Sequence, residues 1–183
     1  MNSSDMRKLH LGSGKVYLPG WTNVDIFTSC KADEYADVTS LPYDKESFDL
    51  IYASHILEHV HRHMVVATLS HWRTILKPGG ILRIAVPNFD AIASYYIRGR
   101  ALDDVMGLLY GGQNYHLNRH TVAFNMETLS RELVRAGFGA CSIRWWNWRN
   151  TEHAEFDDYS QCYLPHMDKE RGFLMSLNLE ATK

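Results

Sequence analysis

Two apolar runs, Asp49–Ala53 (DLIYA) and Ile81–Val86 (ILRIAV), restrict the fold of this chain more than any other feature. Each is short and free of glycine and proline, the pattern of a strand buried on both faces of a parallel sheet. Parallel neighbours need a crossover, and the residues between the runs supply one. Val65, Leu69, Trp72 and Leu76 recur at helical spacing and make one apolar stripe. Lys77-Pro78-Gly79-Gly80 then stops the helix, since proline cannot continue it and glycine permits the reversal. The centre of the chain is therefore a β-α-β unit.

Further elements flank it. Strands are expected at Lys8–Leu11, Thr22–Ile26 and, shorter, around Tyr35–Val38. Mixed helix is expected over Ala91–Leu109, a helix capped by Asn125 and closed by Gly137 over Met126–Ala136, and final strands at Ala140–Trp148 and Phe173–Thr182. This order describes an open sheet, parallel at its centre, with ligands at the carboxyl ends of its strands. One connection is short. Only Lys15–Thr22, broken by Pro19-Gly20, joins the first two strands, where a crossover normally takes ~10 residues or more. A loop or single turn is expected there, leaving that side of the site open to a bulky substrate or to a lid from another chain.

Composition excludes several classes. At 183 residues and 45% hydrophobic, the chain is expected to be one domain, residues 1–183, with a real core. A net charge of -2 gives no basic field for non-specific nucleic-acid binding. Cys30, Cys141 and Cys162 are far apart and form no C-x-x-C pair, which argues against a disulfide framework or zinc ribbon and for a reducing cytoplasm. Met1–Lys8 is polar, unlike a secretion leader, and no apolar run approaches the ~20 residues of a membrane span. The sequence is compatible with a homodimer but marks no face for one.

The first strand ends in Gly12-Ser13-Gly14, a turn that lets backbone approach a ligand closely. Asp25 ends the second strand, where a carboxylate can accept both hydroxyls of a ribose. Asp37 ends the third, placed to accept from an adenine amino group, and Leu41-Pro42 suits packing against a base. Ser54 and His55 end the fourth and face the same crevice.

The segments LHLGSG, NVDI, ADVTSLPYDKESFDLIYASHILEHV and ILKPGGILRIAVP, in that order, resemble the successive motifs of class I S-adenosylmethionine-dependent methyltransferases, especially the small type 11 group. The resemblance runs from Lys8 to Pro87 and more loosely to Phe138. It implies a Rossmann-like open mixed α/β sheet of about seven strands, the last antiparallel, here with a reduced first crossover. It implies S-adenosyl-L-methionine as cofactor and a small-molecule or glycan acceptor, methylated at O or N. Gly12, Ser13 and Gly14 would pass beneath the methionine and ribose, and Asp25 would hold the ribose with Ile26 beside the adenine. Asp37 would meet the adenine amino group, Val38 would donate its N–H to a ring nitrogen, and Ser54 and His55 would lie near the transferable methyl. One departure stands out: many members carry an acid two residues before the first glycine, where it helps hold the methionine ammonium, and this chain has His10.

A hydroxyl acceptor needs a base, and histidine is the natural one. His55, next to a strand end, is the leading candidate, with His59 and His116 behind it. His55, His59 and His63 follow at i, i+4, i+8, but the H-E-x-x-H order is absent and no metal is expected. Residues 110–120, rich in glycine and aromatics, and residues 149–172 are expected as substrate-side loops, with Gln113 and His116 toward the acceptor. Two of Trp145, Trp146 and Trp148 are expected in the core, Asp157-Asp158-Tyr159-Ser160 as a solvated loop, and Met64, Met106, Met126 and Met175 as core filler. Two other readings stay open: a cofactor-binding scaffold without turnover, and an NAD-dependent oxidoreductase. Against the latter, the G-x-G-x-x-G fingerprint is not met and no helix follows the turn to receive a pyrophosphate.

Overall fold

The computed structural model describes residues 6–183; the expectation of a polar, leader-free start falls largely on residues 1–5, outside that range. Seven strands form one sheet: β1 (Lys8–Leu11), β2 (Thr22–Asp25), β3 (Glu34–Tyr35), β4 (Phe48–Ser54), β5 (Leu76–Pro87), β6 (Ile143–Trp145) and β9 (Ser176–Thr182). Their order is β3-β2-β1-β4-β5-β9-β6. All run parallel except β9, which is antiparallel to both β5 and β6. The open mixed α/β sheet read from the sequence is thus present, last strand antiparallel included. A short hairpin of β7 (Tyr163–Leu164) and β8 (Phe173–Leu174) stands apart from it. The strand expected over Phe173–Thr182 is therefore two strands, divided at Met175.

Alternation along the central strands assigns the two faces of the sheet. Ile51, Ala53, Leu82 and Ile84 point to one side, where α1 (Val65–Ile75) and α4 (Met126–Arg135) cover them with Leu69, Trp72, Leu129 and Leu133. Asn125 caps α4 by accepting from Thr128 N, as expected. Leu50, Tyr52 and Ala85 point the other way, and no helix covers them. Their partners are Leu18 and Trp21 from the β1–β2 connection, together with Trp146, Trp148 and Phe156 from the chain after β6. Of the three tryptophans, Trp146 is buried, Trp148 half-buried and Trp145 exposed. Two of the expected core methionines, Met64 and Met106, are exposed instead, because each sits at a helix start that faces away from the sheet.

The absent first helix has a local cause. Asn23 on β2 is fully buried and spends its side chain on the preceding loop. Its Oδ1 accepts from Leu18 N at 2.9 Å, and its Nδ2 donates to the carbonyls of Leu18 and Trp21. The amide group thereby holds residues 18–21 as a tight turn, closed by Trp21 N donating to Leu18 O, and no helix forms between Gly14 and Asp25. The expectation of a loop there is met. The remaining helices, α2 (Phe89–Ile97) and α3 (Met106–Tyr110), pack around Ile92, Tyr95, Val105 and Met175 beside the hairpin. No helix among the described residues is long and apolar enough to cross a membrane.

Candidate active site

The carboxyl ends of β1, β2 and β4 meet at one crevice. Gly12 and Gly14 both take positive φ, 64° and 52°, which turns the chain sharply off β1. The turn is fastened to β2 by Ser13 N donating to Val24 O at 3.0 Å. Asp25, 5% exposed, completes it: Oδ2 accepts from Gly14 N at 2.7 Å and Oδ1 from Phe27 N at 2.8 Å. Each oxygen keeps a lone pair for a hydroxyl of a ligand. Ser13 Oγ and Ser54 Oγ, at the ends of neighbouring strands, are buried and have no hydrogen-bond partner. Buried hydroxyls without partners are costly, so this end of the crevice suits a polar ligand that supplies them.

Ile26, Asp37 and Val38 follow along the ends of β2 and β3. Ile26 is exposed beside the turn and available to a base. Asp37 uses one oxygen on its own loop, accepting from Thr39 N and Thr39 Oγ1, which leaves Oδ2 outward. Val38 is anchored through its carbonyl, which accepts from Trp72 Nε1 at 2.8 Å. Leu41 is buried in the core beneath this loop.

His10 does not open into the crevice. Its ring is 2% exposed, stacks on Tyr52 at 5.4 Å, and its Nδ1 donates to Asn23 Oδ1 at 3.1 Å. Burial pushes its pKa below the usual range, so it is neutral at pH 7. A carboxylate nevertheless reaches this corner from a distant segment. Tyr52 O–H donates to Asp158 Oδ2, while Asp158 Oδ1 caps the following turn through Ser160 N. Asp158 also bears electrostatically on His10. The sequence reading passed it over as loop; only its Asp-x-Ser capping pattern hinted that it was fixed.

His153 joins the same cluster. It lies against Tyr52 at 4.2 Å and beside Arg83, whose guanidinium also binds Glu180 and Glu152. Burial first, then the Arg83 charge, push His153 down to about 4. A consequence follows for stability. Above about pH 6.5 His153 is neutral in both folded and unfolded chains; below it, the unfolded chain takes up a proton that the folded one refuses. Stability should therefore be full at neutral pH and fall as pH drops from about 6.5 towards 4, by up to about 3 kcal/mol from this residue. His10 acts in the same sense. Urea unfolding at pH 7 and pH 5 measures this, and His153→Gln should flatten the slope; an unchanged midpoint in the wild type would contradict it.

The mouth of the crevice is aromatic. Tyr115, in the 110–120 loop, packs edge-on against Phe27 at 5.2 Å, and Tyr159 lies over His55 at 5.3 Å. Burial, then the Asp25 carboxylate, raise the Tyr115 hydroxyl. The 110–120 loop is closed at its neck by His120 N donating to Tyr110 O, and Asn118 ties its interior. Gln113 and His116 are exposed on it.

His55 sits at positive φ, 52°, where β4 ends. Its Nε2 faces Ser176 Oγ at 3.2 Å and its Nδ1 faces Glu58 at 3.3 Å. Ser176 gives its own hydrogen to Asn178, so it receives one from His55. Nε2 is thus engaged within the protein, and Nδ1 is turned toward the Glu58 carboxylate without hydrogen-bonding to it. The run from His55 to His63 is not a helix; it holds only a short turn, Leu57–His59. The three histidines share no face. His61 and His63 are exposed, and His59 pairs instead with His120, 4.7 Å away on the 110–120 loop.

Comparison with known proteins places this geometry in a class. Residues 25–84 match the family described as a methyltransferase domain, of the type 11 group. Over nearly its whole length the chain shares the fold of solved S-adenosylmethionine-dependent methyltransferases. One from Methanosarcina mazei is 16% identical, with a TM-score of 0.63 over 98% of this chain and 93% of that one. One from Thermotoga maritima is 15% identical, with a TM-score of 0.62 over 98% and 83%. A Burkholderia thailandensis N-methyltransferase solved with S-adenosylhomocysteine is 17% identical, with a TM-score of 0.57 over 97% and 71%. No curated protein matches in sequence. The fold is therefore that of the class I S-adenosylmethionine-dependent methyltransferases. Within that fold, the match to the type 11 methyltransferase family model covers the central segment from Asp25 to Ile84.

Proposed function

We propose that the chain binds S-adenosyl-L-methionine at the Gly12–Gly14 turn and transfers its methyl group to an oxygen or nitrogen of a small-molecule or glycan acceptor. The observation that carries this reading is the pair of unpartnered buried hydroxyls, Ser13 and Ser54, beside the Asp25 carboxylate. The cofactor supplies an already activated methyl on a sulfonium, so the chain has chiefly to align the acceptor. The turn passes beneath methionine and ribose, and Asp25 accepts the ribose hydroxyls. Ile26 and Leu41 flank the adenine, Asp37 takes its amino group and Val38 its ring nitrogen. His10 serves by holding Asn23 and Tyr52, and Asp158 brings the carboxylate for the methionine ammonium. Tyr115 and Tyr159 offer flat faces to a ring-shaped acceptor. With His55 donating through Nε2 to Ser176 and turning Nδ1 toward buried Glu58, the exposed His116 is the better base for a hydroxyl acceptor. The three cysteines are free, which suits a reducing cytoplasm.

Calorimetry with S-adenosylhomocysteine, followed by transfer of labelled methyl to a panel of phenols, amines and sugar nucleotides, tests the reading. Binding with transfer supports it. The engaged state of His55 favours one alternative, a cofactor-binding scaffold, which binding without transfer to any acceptor would establish. Absence of binding would overturn both.

A further inference from the structure

Glu58 is 1% exposed, and neither of its carboxylate oxygens has a hydrogen-bond donor. His55 Nδ1 is near, but the contact lacks hydrogen-bond alignment. A carboxylate taken out of water without donors is expensive, and proteins tolerate one chiefly where a cation or metal balances it. Two further ligand-type groups converge on it. His120 Nε2 lies 3.9 Å from Glu58 Oε1, and one ligand atom each from Glu58, His59 and His120 fall within 4.8 Å of one another.

The orientation of the two rings is the second observation. His120 Nδ1 donates to Leu108 O at 2.9 Å, and His59 Nδ1 donates to Arg119 O at 3.2 Å. Each carbonyl fixes the proton on Nδ1 and leaves Nε2 with the free lone pair. Metal-binding histidines are held in this way, through the ring nitrogen that does not ligate. An exposed structural histidine has no need of it.

We propose that Glu58, His59 and His120 form a binding site for a divalent transition metal of the zinc class, which staples the 110–120 loop to the end of β4. One carboxylate and two imidazoles suit such an ion and leave coordination positions for water. The loop is already tethered at this point, since Thr121 donates to the carbonyls of Glu58 and Val60. The ion would fix the arm that carries Tyr115 to Phe27. This site does not depend on the cofactor reading and is measured without cofactor.

The test is titration of metal-stripped protein with Co(II), read by visible absorption, then displacement by Zn(II). The expected result is one Co(II) per chain with d–d bands of low coordination number, and slower proteolysis of the 110–120 loop in the loaded form. His120→Ala, on the loop side of the site, should weaken binding by about 100-fold, and Glu58→Gln similarly. A His61→Ala/His63→Ala variant should bind as the wild type does. No stoichiometric uptake by the folded protein, or uptake that survives His120→Ala, would overturn the site. Uptake without protection of the loop would overturn the staple.

Discussion

Replacing Asp25 by alanine is expected to weaken S-adenosylhomocysteine binding at least about 100-fold, equivalent to roughly 2.7 kcal/mol. The effect has two sources. On the proposed function, the carboxylate at the end of β2 accepts two ribose hydroxyls. It also holds the Gly12–Gly14 turn, accepting from Gly14 N and Phe27 N. Alanine leaves both donors unpaired at a nearly buried position, at about 1–3 kcal/mol each. The melting temperature should fall with the affinity. Asp25→Asn separates the sources: it keeps the shape and one acceptor oxygen, so stability should largely return while binding stays poor. Calorimetry and thermal unfolding of the two variants measure both. Binding by the alanine variant within threefold of wild type would remove the ribose assignment.

Gly12→Ala is expected to be the most destabilising single methyl that can be added near the site. A β-carbon there would lie 1.9 Å from Ile56 Cδ1 and 2.3 Å from Cγ1, while the backbone holds φ at 64°. The left-handed conformation costs a non-glycine residue about 1 kcal/mol, and forced overpacking about 1–3 kcal/mol more. At about 2–4 °C per kcal/mol for a chain of this size, thermal unfolding should shift down by about 4–16 °C. Trimming the obstacle should recover part of it: Gly12→Ala/Ile56→Ala should melt above Gly12→Ala alone. A double variant no better than the single one would show that the clash is not the cause. Gly14 is a useful control, because its β-carbon would meet nothing closer than Gly12 O at 3.9 Å; only the conformational part should appear there.

The sheet was legible because strands buried on both faces leave continuous apolar runs, and Leu50, Tyr52 and Ala85 alternate with Ile51, Ala53 and Ile84 as a pleat requires. The glycine turn and Asp25 were legible because each lies where a strand ends, a position set by local sequence. The missing first helix was legible from chain length alone. What covers that side was not, because Trp146 and Phe156 arrive from the far end of the chain. The same holds for polar partners. Tyr52 and Asp158 are 106 residues apart, and nothing in either segment names the other. His59 is a related case: Leu57–His59 is a single tight turn, and His59 meets His120 on a loop beyond α3, a pairing that regular histidine spacing does not reveal.

The turn of residues 18–21 and the segment from Trp146 onward jointly replace one helix, and this bears on how the chain is made. During synthesis the N-terminal half can zip β1, β2 and β4 together and lay α1 across one side. The other side of the sheet, with Leu50 and Tyr52 on it, stays wet until the chain through Phe156 has left the ribosome. Contacts that close so late in the sequence are slow to form and leave apolar strand surface exposed meanwhile. Chains that stop before Trp146 should therefore aggregate rather than persist as a smaller folded core, and the segment from Trp146 to Phe156 acts as a seal without which this face of the sheet has no back.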